Sequence, residues 1–366
     1  MPTSPRARRA GLAAAAAAIP VALAYRFALV YRVRAGYPKR HLPATTPAAV
    51  GLAWEDVELP TEDGLCLPAW FMPAPPPAAR GPEMGTADPS PAVVLIHGWE
   101  SARDRTLPHA QFLHAAGFAV LALDVRGHGA NGPEALPISA GEFAADARAG
   151  VAWLAGRDDV GRVAIFGHSM GAAGALVAAA SAPSVAAVVA LAAPAGPYRL
   201  TRQTFRLADL PIPAPIAWPL AWLTTRVFLR PRGHRPADIS ATQAVRTIDA
   251  PVLLVQGSDD RILPVSHLAR LAAARRAARP DAVTETLTVD GGGHSWLYEF
   301  PAFRATVARF LAASLGGPLD PSAAASIAAT VPAVRPPDDD RLTALDEEPG
   351  GARSIARLFR RHAPAP

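Results

Sequence analysis

The chain has 366 residues, 50% of them hydrophobic and only 18% charged, a balance that excludes a wholly disordered polypeptide. The formal charge of +5 invites a nucleic-acid reading, but eight basic and no acidic residues fall within residues 1–40, while the other 326 carry 28 basic and 31 acidic. The body is therefore mildly acidic and argues against a nucleic-acid partner, and the single cysteine, Cys66, excludes an internal disulfide framework or a multi-cysteine metal site.

Residues 10–25, AGLAAAAAAIPVALAY, are uncharged, but sixteen residues fall short of the ~20 that span a bilayer. Counting through Arg26 to residue 31 gives 22, enough to span if that arginine snorkels to a headgroup. Arg6, Arg8 and Arg9 precede the stretch and five more basic residues follow it, which suits a membrane anchor better than a cleaved leader. The alternative is secretion after cleavage at Ala22-Leu23-Ala24. Basic residues at both ends leave the orientation open. Residues 1–41 are expected to be a membrane-associated segment separate from catalysis.

From residue 50 to 316 strands and helices alternate. Strands are predicted at 56–60 and 65–71, joined by the turn Thr61-Glu-Asp-Gly64, then at 92–96, 119–123, 163–166, 185–191, 251–255 and 283–289. The later runs are continuously apolar, as in parallel strands buried on both faces. Helical stretches near 105–116, 141–156, 170–182, 265–279 and 301–314 separate them. The pattern predicts a doubly wound, mostly parallel eight-stranded α/β sheet. Residues 317–366, rich in Pro, Ala and Asp, are expected to be a disordered tail, with a basic amphipathic helix conceivable at 354–362.

In such sheets the site lies beyond the carboxyl ends of the strands. There the chain reads His97-Gly98-Trp99-Glu100, then Asp124-Val-Arg-Gly-His-Gly129, then Gly167-His-Ser169-Met170-Gly171, then Gly257-Ser-Asp259-Asp260, and finally Gly291-Gly-Gly-His294. The strongest signal is Gly167-x-Ser169-x-Gly171 between a strand and a helix, the context of a nucleophile elbow, in which the tight turn needs the flanking glycines Gly167 and Gly171. A serine needs a base, and His294, on a Gly-rich loop past the last strand, is the candidate. His267 falls inside a predicted helix and His362 in the tail. The orienting acid is Asp259 or Asp260, both just past a strand end. Asp124 is expected to brace the loop 126–129. The backbone N–H groups of Met170 and Trp99 are the candidate oxyanion donors.

Together these motifs resemble the α/β-hydrolase superfamily over residues 50–316, in its serine-aminopeptidase-like and monoacylglycerol-lipase-like branch. The resemblance implies that Asp260, three residues after Gly257, is the acid, completing a Ser169-Asp260-His294 triad. It also implies a helical lid at about 195–249, where Tyr198, Phe205, Trp218 and Trp222 are candidates for the substrate wall and Phe228 adds to the aromatic content. The expected function is hydrolysis of carboxylic esters or acyl amides, on an apolar small-molecule substrate, through an acyl-enzyme. Neither metal nor organic cofactor is expected. The alternatives are an aminopeptidase-like serine peptidase and a catalytically silent scaffold, and the oligomeric state is open.

Overall fold

The computed structural model describes residues 5–76 and 89–335. The first described element is helix α1 (Pro5–Ala35). Strands β1 (Glu55–Pro60) and β2 (Cys66–Met72) form an antiparallel pair. Their turn is closed by Thr61, whose Oγ1 accepts from the Leu65 amide at 2.8 Å and donates to Asp63. Then follow β3 (Ser90–Ile96), α2 (Leu107–Ala115), β4 (Ala119–Leu123), α3 (Ala140–Ala155), β5 (Val160–His168), α4 (Met170–Ala179) and β6 (Val185–Leu191). Helices α5 (Pro197–Leu207), α6 (Ala214–Leu229) and the short α7 (Ala241–Ala244) precede β7 (Val252–Gly257), α8 (Ser266–Ala278), β8 (Thr284–Val289), α9 (Pro301–Leu315) and α10 (Pro321–Thr330).

The eight strands form one sheet in the order β1-β2-β4-β3-β5-β6-β7-β8. β2 pairs antiparallel with β1 and with β4, and every other neighbour pair is parallel. The central strands β3, β4 and β7 are buried along their whole length, which is why their sequences do not alternate. Alternate residues still serve opposite faces. Val94 and Ile96 join the core under α3 and α4, whereas Val93 and Leu95 join the core under α2 and α9. The expected eight-stranded, doubly wound sheet is the observed one.

The β6–β7 connection forms the lid. Its far end is clamped to the body near the start of α3: Arg232 bonds Glu134 and the Pro137 carbonyl, and His234 Nε2 lies 2.6 Å from Glu142 Oε1. Helix α1 packs along α6 and α5, burying Ala28 and Tyr31 and setting Phe27 edge-on to Phe205. Arg26, Arg32 and Arg34 interrupt its apolar run. Among the described residues no helix is long and apolar enough to cross a membrane, so the expected transmembrane helix is not supported.

The stretch expected to be structureless also needs correction at its start. α10 lies against α9 with Ala324 and Ala328 fully buried, and its Asp320 cap accepts from the amides of Ser322 and Ala323. The Arg304 guanidinium on α9 donates to the carbonyls of Tyr298, Ala328 and Ala329. Alanine-rich composition hid a packing face whose small side chains permit close helix approach. The conceivable helix at 354–362 lies outside the described residues. Truncating the chain after residue 319 takes two acceptors from a buried guanidinium and uncovers α9. The expected result is a melting temperature lower by about 5 °C or more in differential scanning fluorimetry.

Candidate active site

The site grows from the turn between β5 and α4. Ser169 occupies the cap position of α4 with φ 54° and ψ −116°, a left-handed conformation that side chains rarely adopt. Its amide donates to the Leu191 carbonyl on β6 at 2.8 Å. The two glycines answer a space constraint. A Cβ on Gly171 would lie 2.4 Å from the carbonyl oxygens of Ile96 and His97, and one on Gly167 would lie 2.2 Å from the Gly171 oxygen. Both obstructions are backbone, so neither can move aside cheaply.

His294 sits in the loop after β8, 4% exposed. Its Nε2 is 3.1 Å from Ser169 Oγ, and its Nδ1 is 2.7 Å from Asp260 Oδ2. A carboxylate can only accept, so Nδ1 carries the proton and Nε2 is left to accept from the serine hydroxyl. Asp260 is fixed in turn by the amides of Ile262 and Leu263, each at 2.8 Å, and by the Gln256 side-chain amide. Burial pushes its carboxyl upward in pKa. His294 and the two amides outweigh that push and hold it below the usual carboxylate range.

The other sequence candidates separate cleanly. Asp259 is exposed, accepts from the Ser258 hydroxyl and ties the turn to Gly292 through its own amide. His267 Nδ1 accepts from the Ala195 amide at 2.9 Å, and burial holds its pKa down to about 4. Asp124 takes the structural place expected of it, accepting from the amides of Arg103 and Ala130. Trp99 and Met170 line the same cavity as Ser169 and His294. Met170 is the first residue of α4, where amides lack intrahelical partners and the helix dipole favours negative charge.

One residue of the elbow was missed. His168 lines the cavity, and its Nε2 donates to the His294 carbonyl at 2.9 Å. Burial, with His294 nearby, holds its pKa down to about 4, so it ties the His294 loop to the elbow as a neutral ring. Its place between Gly167 and Ser169 was the only sequence signal.

Above the serine lies a cavity of about 320 Å³. Its lid wall is built from Leu200, Thr204 and Leu207 of α5 with Phe228 and Leu229 of α6. The four aromatic residues expected there do not line it. Phe205 is buried beside the wall, against Phe27 and Tyr31. Trp218 and Trp222 are 41% and 49% exposed, covered by the guanidinium groups of Arg202 and Arg226. Tyr198 is partly buried off the wall. The cavity instead meets residues 197, 200, 201, 204 and 207, one stripe of α5 at helical spacing. Among the described residues, no group of three or more His, Cys, Asp or Glu is placed to hold a metal ion.

The packing at Gly171 is directly testable. Gly171→Ala must displace the β3 carbonyls or the elbow itself. It should cost about 3 kcal/mol of stability, read as a lower urea midpoint at unchanged slope.

A family model described as serine aminopeptidase, S33, matches residues 87–240. An uncharacterized protein of Mycobacterium tuberculosis is 32% identical over 256 residues, covering 69% of this chain and 76% of that one. The alpha/beta hydrolase domain-containing protein WAV2 of Arabidopsis thaliana is 26% identical over 271 residues, 72% of this chain and 80% of its own. Among solved structures, an esterase of Pyrococcus furiosus superposes with a TM-score of 0.60 at 23% identity, over 76% of this chain and 98% of the esterase. With the sheet order, the elbow and these relatives in agreement, the chain belongs to the α/β-hydrolase superfamily, in its serine-aminopeptidase-like branch, and is a hydrolase.

Proposed function

We propose that the protein is a serine hydrolase that cleaves carboxylic esters of apolar acyl groups. One observation carries the reading: His294 lies within hydrogen-bond distance of both Ser169 Oγ and Asp260 Oδ2. Ser169 Oγ attacks the ester carbonyl carbon while its proton passes to His294 Nε2. Asp260 stabilises the imidazolium without taking its proton. The N–H groups of Trp99 and Met170 receive the oxyanion. Collapse of the intermediate expels the alcohol, which takes the proton from His294. Water then attacks the acyl-enzyme by the same route and restores Ser169.

The walls favour an acyl ester over a free N-terminal peptide. A peptide amine would need carboxylates, and Glu100 is the only acid among the described residues that line the cavity. Its Oε1 already accepts from the Lys39 amide at 2.9 Å. The peptidase reading keeps the support of the family description.

We also propose that the protein meets membranes at their surface. Ile19, Leu23, Val30 and Val33 remain exposed along one face of α1, beside arginines, and Trp218 and Trp222 are exposed on the adjoining α6. Co-sedimentation with anionic phosphatidylglycerol vesicles should exceed that with neutral ones. Binding to neither, or equal binding to both, would remove this part of the reading.

A fluorophosphonate probe should label the parent protein and not Ser169→Ala. Asp260→Asn should keep the fold and lower kcat on p-nitrophenyl butyrate by roughly 10³- to 10⁴-fold. A panel of acyl esters against aminoacyl amides decides substrate class. Higher kcat/KM on the amides would replace the esterase reading with the peptidase one.

A further inference from the structure

We propose that Tyr31, on the N-terminal helix, forms a wall of the acyl pocket and sets the chain length it accepts. The inference rests on the ester-hydrolase reading above and extends it to a segment that sequence alone assigns to another task. Tyr31 lines the same cavity as Ser169 and His294, although 138 residues separate it from the serine. It is 9% exposed, with its ring edge-on to Phe205 at 5.8 Å and Phe228 at 6.1 Å between centroids. Phe228 is itself a cavity wall, so the two rings form one surface.

The hydroxyl is fixed as firmly as the ring. Tyr31 Oη lies 2.8 Å from Thr204 Oγ1, and the Thr204 hydroxyl donates to the Thr201 carbonyl at 2.7 Å. Thr204 has spent its proton, so Tyr31 must donate. The same logic runs across the lid. Thr225 donates to the Ala221 carbonyl, which leaves the Thr201 hydroxyl as donor to Thr225. Tyr31, Thr201, Thr204 and Thr225 all line the cavity, and each hydroxyl proton is committed within the wall. Burial pushes the Tyr31 phenol up in pKa, so it stays neutral. The surface offered to a substrate is therefore apolar despite its four hydroxyl groups, as an acyl chain requires.

The end of α1 is tied down near the site. The Ile138 amide donates to the Gly36 carbonyl at 2.8 Å, and Ile138 lines the cavity too. The Lys39 amide bonds Glu100 and the Ala44 amide bonds Asp104 at 2.8 Å, both on the loop after β3 that carries Trp99. These anchors hold the last turns of α1 at a fixed height over the pocket. A wall held in this way discriminates by length, because methylenes beyond it have no space, and a single methylene in an apolar pocket already changes kcat/KM about tenfold.

The test measures kcat/KM of the full-length protein on p-nitrophenyl butyrate and octanoate. Tyr31→Ala opens the wall and should raise the octanoate-to-butyrate ratio about fivefold or more. Tyr31→Trp fills it and should lower the ratio by a similar factor. Fluorophosphonate labelling of Ser169 reports that each variant keeps an intact site, and the tryptophan variant decides alone if the alanine variant does not fold. A ratio within twofold of the parent in the labelled variants, or a shift in the same direction in both, overturns the role of Tyr31. If Ser169→Ala keeps the parent's ester turnover, the ester-hydrolase reading itself fails and takes this inference with it.

Discussion

The turn at Ser169 is squeezed from two sides, and the rest of the molecule is arranged to bear that pressure. On one side the carbonyls of Ile96 and His97 at the end of β3 press on Gly171. On the other the Leu191 carbonyl on β6 holds the serine amide. A non-glycine residue at φ 54° costs on the order of 1–3 kcal/mol, which an isolated turn would relieve by changing shape. It cannot do so here, because β3, β5 and β6 are neighbours in a sheet buried on both faces. The parallel core is thus the support that keeps one strained residue with its hydroxyl at the floor of a cavity.

Around that floor, burial distributes charge. His97, His128, His168 and His267 are all pushed down in pKa by desolvation and stay neutral near pH 7. Each spends a ring nitrogen on the backbone: His97 accepts from the Val125 amide, His128 donates to the Arg126 carbonyl, His168 donates to the His294 carbonyl, and His267 accepts from the Ala195 amide. Histidine here is mostly a fastener between loops. His294 differs because a buried carboxylate, that of Asp260, faces its Nδ1.

Helices α1 and α10, in the two stretches that composition sets apart from the body, are both drawn into it. α10 completes the polar satisfaction of Arg304, and α1 supplies part of the roof over the cavity. In each case the fold uses small or aromatic side chains on one face of an otherwise unremarkable apolar helix. The opposite face of α1 stays exposed, which places an apolar stripe and a pocket wall on the same helix.

The sequence by itself determined the succession of strands and helices along the chain and which polar residues stand at each strand end. Ser169, His294 and the pair Asp259–Asp260 were legible as candidates because each lies within a few residues of a strand end, and the structure brings Ser169, His294 and Asp260 within hydrogen-bond distance. The lid wall was only half legible. Aromatic content pointed to Trp218 and Trp222, which stand off the cavity, and to Phe228, which lines it, while Leu200, Thr204 and Leu207 carried no signal of their own in the sequence. Tertiary structure alone decided that Tyr31 meets Thr204, that His168 holds the His294 loop, and that α10 has a partner. Those contacts join residues 173, 126 and about 24 positions apart, and no local periodicity encodes a distance across the chain.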